Sequence, residues 1–265
     1  MPTRALRTAA SGMYAQELNI EVISNNIANI NTTGYKKNKA EFQDLMYQQV
    51  NLNPVSGNTP GVSTNPSETL QVGNGVEPTS TAKIFTQGDI TATNNQLDMA
   101  IQGDGFFQVR KDDGTYAYTR DGSFKVNADG KIVTSSGYLL DPELSLDENA
   151  TGITIAKDGT VNVQEAGGNS YVLGNIELAR FMNPGGLKAL GNNLYAQTES
   201  SGTPIIGTPG KDGFGEVNQG YLESSNVDIV EEMISMIAAQ RAYEINSKTV
   251  QTVQDMMQMA NNLKR

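Results

Sequence analysis

Apolar residues recur at intervals of seven near the start of the chain and again near its end. Such a heptad spacing places side chains along one narrow stripe of a helix, which is hidden from water only when another helix covers it. The first pattern predicts a helix over residues 4–30, capped by Thr3. Its apolar stripe, the N-terminal seam, comprises Leu6, Met13, Ile20, Ile23, Ile27 and Ile30.

The C-terminal residues carry a similar pattern. They predict a second helix, which either Ser225 or Asn226 can cap. Its stripe, the C-terminal seam, comprises Val230, Ile234, Ile237, Arg241, Ile245, Met256 and Leu263. Arg241 interrupts the apolar series, and two interpretations stay open: it lies on a solvated face of the helix, or it sets the register between subunits.

Seams at both ends of one chain predict that the termini meet each other and further copies of the chain. A lone helix of this kind is only marginally stable in water. We therefore expect both terminal arms to be largely unfolded in the free monomer and to become ordered when neighbours cover the seams. Such an arrangement favours a building block over an enzyme.

Between the two helices, apolar and polar residues alternate with the period of two that is typical of half-buried strands. The alternating pairs are Phe107 and Val109, Tyr116 and Tyr118, Phe124 and Val126, Ile153 and Ile155, and Val161 and Val163. Asp-Gly dipeptides at 113–114, 121–122, 129–130 and 158–159 suit tight turns with the glycine at positive φ. This region predicts an antiparallel sandwich or barrel.

The whole pattern predicts an α+β protein in which paired, coiled-coil-like terminal helices form a discontinuous α domain. The predicted parts are an N-terminal helix (1–34), a linker with an extended insert (35–78), a β-rich domain (79–220) and a C-terminal helix (221–265). Residues 35–50 fit either a short helix or an extended arm. Pro, Gly, Ser, Thr and Asn dominate the rest of the linker, which predicts a long loop or an extended hairpin.

Charge and composition exclude several classes of protein. The chain has 265 residues and a formal net charge of −10, and residues 41–220 hold 21 acidic residues against 10 basic ones. Nucleic-acid binding is therefore not expected, because affinity for phosphate depends on cations. Cys and His are absent, which removes disulfides, zinc–thiolate sites and catalysis by either residue. The chain lacks an apolar run of about 20 residues and a secretory h-region, so neither membrane insertion nor a cleaved signal is expected.

Aspartates in the middle region are the candidates for catalysis. A wall-cleaving hydrolase would need placed carboxylates, and those available are Asp104, Asp112, Asp113, Asp121 and Asp129. Most of them adjoin glycine and are better explained as turn residues. A calcium loop around Asn127 would begin at Lys125, which cannot bind the ion. We expect no catalytic residue, no cofactor and no metal site.

Four distinctive segments occur along the chain. Residues 24–36, the N-terminal motif, read Ser-Asn-Asn-Ile-Ala-Asn-Ile-Asn-Thr-Thr-Gly-Tyr-Lys and include Ser24, Asn25, Asn26, Asn29, Thr33, Gly34 and Tyr35. Residues 225–248 carry a second motif, and residues 98–109 and 118–124 carry two more. In the order in which they occur along the chain, these segments resemble the axial proteins of the bacterial flagellum, the rod and hook family. The resemblance covers essentially the whole chain.

The resemblance implies a structural subunit that polymerises into a straight, hollow rod and transmits torque to the hook. Chain length, the Asn-Leu-Tyr at 193–195 and the insert are most similar to the distal rod members. In that family the terminal helices line the inner tube, the β domain faces outward, and the insert is thought to keep the rod straight. The insert residues here are Tyr47, Pro54, Gly57, Pro60 and Pro66.

The resemblance also implies partners and a location. The partners are further copies of the chain, proximal rod proteins, the hook protein, the P-ring and L-ring bushing proteins, the rod cap or muramidase, and the flagellar type III export apparatus. The location is the basal body, in a rod that crosses the periplasm after export without a cleaved signal. Two alternatives stay open: a proximal rod or hook subunit of the same family, and a secreted cell-wall hydrolase.

Overall fold

A helix lies at each end of the chain, with an antiparallel, β-rich region between them. The computed structural model describes residues 2–51, 69–147, 150–165 and 169–263. The helices are α1 (Pro2–Ala28) and α2 (Ile229–Asn262), and a short 3₁₀ helix covers Pro184–Gly186. This coarse architecture confirms the sequence-based expectation, whereas coiled-coil pairing and a sandwich or barrel stay predictions.

The strands are short, and their registers are antiparallel. They are β1 (Asn38–Asp44), β2 (Gln48–Asn51), β3 (Thr69–Val72), β4 (Val76–Lys83), β5 (Ile90–Ala92), β6 (Met99–Gln102), β7 (Phe106–Arg110), β8 (Tyr116–Thr119), β9 (Lys125–Val126), β10 (Ile132–Val133), β11 (Leu139–Asp141), β12 (Ala150–Ile155), β13 (Thr160–Glu165), β14 (Ser170–Asn175), β15 (Leu178–Arg180), β16 (Lys188–Gly191), β17 (Leu194–Ala196), β18 (Ile205–Gly207), β19 (Glu216–Gln219) and β20 (Tyr221–Glu223).

The chain divides into two units. The helical unit contains the described residues of 1–25, 38–82 and 230–265, and the β unit contains those of 26–37 and 83–229. This division differs from the domains predicted from the sequence. It assigns the end of α1 and the following turn to the β unit, because residues 33–37 are bonded there, and it assigns the strands β1–β4 to the helical unit.

The β unit is organised around strand β7. A nine-stranded sheet runs in the order β16-β17-β8-β7-β11-β10-β9, with β15 and β18 branching from β7. Phe107 and Val109 point into the main core, whereas Phe106 joins a second cluster with Tyr118, Phe181 and Tyr195. Rings of this second cluster meet edge to face, at centroid distances such as 4.8 Å between Tyr118 and Phe181, a geometry that aromatic quadrupoles favour. The strand is therefore buried on both sides, although its sequence alternates.

The predicted Asp-Gly turns form in three of four places. Gly114, Gly130 and Gly159 have positive φ, as expected. Gly122 does not; instead, a Cβ at this position would lie 1.6 Å from the carbonyl oxygen of Met99. The prediction of a positive-φ turn at 121–122 is wrong, because the glycine there is required by the close approach of another backbone segment.

Residues 38–51 form an extended arm rather than a helix. β1 pairs with β4, and β2 pairs with β3, so the insert rises from a β-hairpin stem. The caps expected from the sequence are wrong. α1 already begins at Pro2, a residue suited to the first turn because it lacks an N–H, and α2 begins at Ile229, beyond Ser225 and Asn226. In the described part of the chain, neither helix is long and apolar enough to span a membrane.

Candidate assembly surface

Within the helical unit, α2 contacts α1 through small and polar residues. A Cβ at Gly12 of α1 would lie 2.9 Å from Nδ2 of Asn246, so the two helices approach closely there. Ala239 and Val253, seven residues on either side of Asn246, are both buried. A heptad stays on one side of a helix, so this line of residues is the face that α2 turns towards α1.

The first residues of the C-terminal seam lie on the side of α2 opposite to Asn246, and the later ones lie on its flank. Ile237 and Asn246 are nine residues apart, which is two and a half turns of helix, so their side chains point in opposite directions. The apolar seam residues are all exposed, from 51% at Met256 to 89% at Leu263. They are Val230, Ile234, Ile237, Ile245, Met256 and Leu263. In the single chain Arg241 is solvated as well, and it bonds Glu244 at 3.0 Å.

We call this surface the outward face of α2. Its apolar members are Val230, Met233, Ile234, Ile237, Ile245, Met256, Met259 and Leu263, each more than half exposed. The N-terminal seam differs: Ile23 is buried, and Leu6, Met13, Ile20, Ile27 and Ile30 are half-buried. The two termini therefore do meet, but through a face of α2 that the sequence analysis missed. The sequence signal for this face was the heptad spacing of Ala239, Asn246 and Val253, which are smaller or more polar than the residues of the seam.

The N-terminal motif is bonded into the β unit. Asn26 is buried, and its Oδ1 accepts a hydrogen bond from the Tyr35 hydroxyl at 3.2 Å. Thr33 Oγ1 donates to Asp121 at 2.9 Å. Gly34 has φ +66, and a Cβ there would lie 2.6 Å from the backbone nitrogen of Asp121, so only glycine suits this position. Of the other motif residues, Ser24 and Asn25 are exposed and Asn29 is half-buried.

Beside this motif lies a buried group of charges, the ion cluster of Lys36, Arg120 and Glu223. Lys36 Nζ is 2.6 Å from Oε1 of Glu223, and Arg120 Nη1 is 3.4 Å from Oε2. The side chains of Lys36 and Glu223 are fully buried, and that of Arg120 is 4% exposed. One carboxylate thus balances two cations that come from distant parts of the sequence.

Backbone groups add further hydrogen bonds to the ion cluster. Lys36 Nζ also donates to the Thr86 carbonyl at 2.7 Å, and Arg120 Nη2 donates to the Gly103 carbonyl at 2.8 Å. Glu223 accepts a further bond from the N–H of Gly88 at 3.0 Å. Burial lowers the pKa of Lys36, and the facing Glu223 carboxylate opposes that shift. The cluster is a structural joint, because every bond in it links one chain segment to another.

Asn226 makes a second joint nearby. Its Oδ1 accepts a hydrogen bond from the N–H of Lys37 at 2.8 Å, and its Nδ2 donates to the Ile84 carbonyl at 2.8 Å. Gly34 also donates its N–H to the carbonyl of Glu223 at 2.8 Å. The segment that follows α1 and the segment that precedes α2 are thus tied together inside the β unit. Asn226 serves this joint instead of capping α2.

The stem of the insert is bonded to the first turns of α1. Arg4 donates to Gln48 at 2.5 Å, Arg7 contacts Asn74 at 3.4 Å, and Ser11 Oγ accepts the N–H of Val76 at 3.3 Å. Tyr47 is 56% exposed beside this stem. The other predicted insert residues, Pro54, Gly57, Pro60 and Pro66, lie outside the described residues.

Two of the candidate aspartates, Asp113 and Asp121, behave as turn and joint residues. Asp113 accepts the N–H and hydroxyl of Thr115, and these bonds lower its pKa. Asp121 accepts the Ser123 N–H in addition to the Thr33 hydroxyl. Among the residues that the structure describes, no group of three or more acidic side chains is placed to hold a metal ion.

Comparison with known proteins finds flagellar components along the whole chain. Three families match: "Flagella basal body rod protein" at residues 6–36, "Flagellar hook protein FlgE/F/G D1 domain" at residues 100–163, and "Flagellar basal body rod FlgEFG protein C-terminal" at residues 218–263. The flagellar basal-body rod protein FlgG of Borreliella burgdorferi is 50% identical, over 99% of both chains. FlgG of Caulobacter vibrioides is 48% identical, over 98% of this chain and 99% of its own.

A solved structure, the flagellar hook protein FlgE2 of Helicobacter pylori, matches at 17% identity with a TM-score of 0.24. The match covers 71% of this chain and 43% of that one. The similarity to FlgE2 is too low to support any argument about this fold.

The ion cluster generates a prediction about stability. Glu223→Gln leaves two buried cations without their anion, and breaking a buried ion pair in this way costs about 3–5 kcal/mol. We expect the midpoint of urea unfolding to fall accordingly. Glu216→Gln is the matched control, because Glu216 pairs with Lys157 in an exposed bridge worth about 0–1 kcal/mol. Equal losses in the two variants would contradict a structural role for the cluster.

Proposed function

The chain belongs to the FlgG family of flagellar basal-body rod proteins and is a structural subunit of the rod; we propose that it assembles helically into the straight, hollow distal rod. Its relatives are named flagellar basal-body rod proteins, and we propose no enzymatic activity. Membership of this family supports self-assembly and contact with other axial components of the flagellum.

The outward face of α2 is the observation that carries this proposal. Soluble monomers rarely expose large contiguous apolar patches, and those that do use them for binding. Ile234 and Ile237 are 63% and 56% exposed on one side of the helix, and Ile245 is 65% exposed two turns further on. The occupant we assign to this face is a neighbouring copy of the chain, since α1 is engaged with the opposite side.

An open helical assembly follows from a contact between two different surfaces of neighbouring subunits. In the proposed assembly, the outward face of one copy packs against a different surface of the next copy. A contact between two different surfaces, repeated by a rotation and a rise that do not close, builds a filament instead of a ring. In the proposed rod the terminal helices line the inner tube, the β unit faces outward, and Arg241 sets the register between neighbouring subunits.

The insert is proposed to brace neighbouring subunits and to keep the rod straight. Its hairpin stem is bonded to α1 through Arg4, Arg7 and Ser11, so the stem is fixed to that helix. The bracing residues would be Tyr47, Pro54, Gly57, Pro60 and Pro66. A proximal rod or hook subunit is the alternative in which the insert has no such role.

The proposed location is the part of the basal-body rod that crosses the periplasm, reached through the flagellar type III export apparatus without a cleaved signal. The proposed partners at the two ends of the distal rod are the proximal rod proteins and the hook protein. Around it and at its tip they are the P-ring and L-ring bushing proteins and the rod cap or muramidase. We propose no nucleic-acid partner and no membrane insertion.

Substitution on the outward face tests self-assembly. Ile234→Ser removes an apolar contact worth about 1.5–3 kcal/mol when buried, so the concentration needed for assembly should rise about tenfold or more. Sedimentation of the purified full chain and electron microscopy of the pellet measure this. Ile234→Leu is the matched control and should assemble normally. Because Ile234 is exposed in the single chain, neither variant should change the unfolding midpoint of the monomer. Normal assembly of Ile234→Ser would contradict the proposed surface.

Deletion of residues 47–66 tests the role of the insert. Without the brace, subunits should still polymerise through α2, but the filament should become curved, because nothing then restrains sliding between neighbours. Electron microscopy of filaments from the deleted and the full chain measures their curvature. Straight filaments from the deleted chain would favour the proximal rod or hook alternative.

A further inference from the structure

Three methionines lie on the outward face of α2. Met233 is 53% exposed, Met256 is 51% exposed and Met259 is 58% exposed. Met233 lies one turn before Ile237, and Met256 and Met259 lie three residues apart, so each is a helical neighbour of another apolar residue of that face. Two further methionines of the same helix, Met236 and Met257, are half-buried.

The thioether sulfurs of these three methionines are exposed to oxidants on the helix that carries the assembly surface. The chain has 10 Met and no Cys, so no thiol competes for an oxidant. A hydroperoxide oxidises methionine by two electrons. A sulfur lone pair attacks one peroxide oxygen, the O–O bond breaks and an S–O bond forms. The peroxide is reduced to water or, for an organic hydroperoxide, to the alcohol. The product, methionine sulfoxide, is polar and is reduced again by methionine sulfoxide reductases.

We propose that Met233, Met256 and Met259 form a peroxide-sensitive modification site that decides whether a free subunit can be incorporated. The inference rests on the proposed self-assembly through the outward face. A sulfoxide oxygen buried against apolar neighbours finds no hydrogen-bond donor there, and burying such a group is unfavourable. Oxidation therefore acts before assembly, and a subunit already covered by its neighbours is protected.

Hydrogen peroxide applied to the purified full chain tests the site. The variants are a triple substitution, Met233→Leu with Met256→Leu and Met259→Leu, and a control, Met182→Leu. Leucine keeps the volume and the apolar character of methionine. Met182 is 89% exposed but belongs to the β unit. Peptide mass spectrometry locates the sulfoxides, circular dichroism reports helix content, and sedimentation gives the concentration required for assembly.

We expect peroxide to oxidise all three outward methionines in the free chain. In the treated natural chain and in Met182→Leu, the concentration required for assembly should rise about tenfold or more. The triple variant should assemble after peroxide as it does before. Methionine sulfoxide reductases should restore assembly of the treated natural chain, and prior assembly should slow oxidation of the three residues.

Other outcomes overturn the inference in distinguishable ways. If the untreated chain does not sediment, self-assembly fails and this site fails with it. If the untreated chain assembles and the chain oxidised at all three positions assembles equally well, only the modification site is overturned. Equal sensitivity of the triple variant, or loss of helix content on treatment, likewise shows that the effect arises elsewhere.

Discussion

A helix that packs against one neighbour and still exposes apolar side chains elsewhere cannot be satisfied by that neighbour alone. α2 is such a helix: Ala239, Asn246 and Val253 define the side that meets α1, and Ile237 lies two and a half turns from Asn246 on the other. Apolar surface left in water is unfavourable in proportion to its area. The remaining face thus makes contact with a further chain favourable, and this is the contact that the proposed assembly requires.

The ion cluster serves a different purpose from the outward face. Lys36, Arg120 and Glu223 hold together the segment that leaves α1, a strand end of the β unit and the segment that leads to α2. Buried charges of this kind contribute little net stability, because desolvation offsets their attraction. Their value here is geometric, since their bonds join three segments of the chain at one place. This gives the N-terminal motif a physical role, which the resemblance alone did not supply.

Sequence periodicity predicted the helices and the β-rich middle because both depend on local patterns of apolar residues. It missed the face of α2 that meets α1, because Gly12, Ala239 and Asn246 are small or polar and give no apolar signal. It also missed the ion cluster, whose members are separated by up to 187 residues and are joined only by the fold. The prediction of a positive-φ turn at Gly122 was wrong for the same reason, since the Met99 carbonyl that excludes a side chain there comes from another strand.

Hydrogen exchange of the free and the assembled chain tests the central claim most directly. The outward face of α2 should be covered only by neighbouring subunits, so the amides of α2 between Ile234 and Met259 should exchange much more slowly in the filament than in the free chain. Residues 34–37 and 221–226, held by the ion cluster and Asn226, should be protected to the same degree in both. Amides of α2 that are as protected in the solitary chain as in the filament would contradict the account.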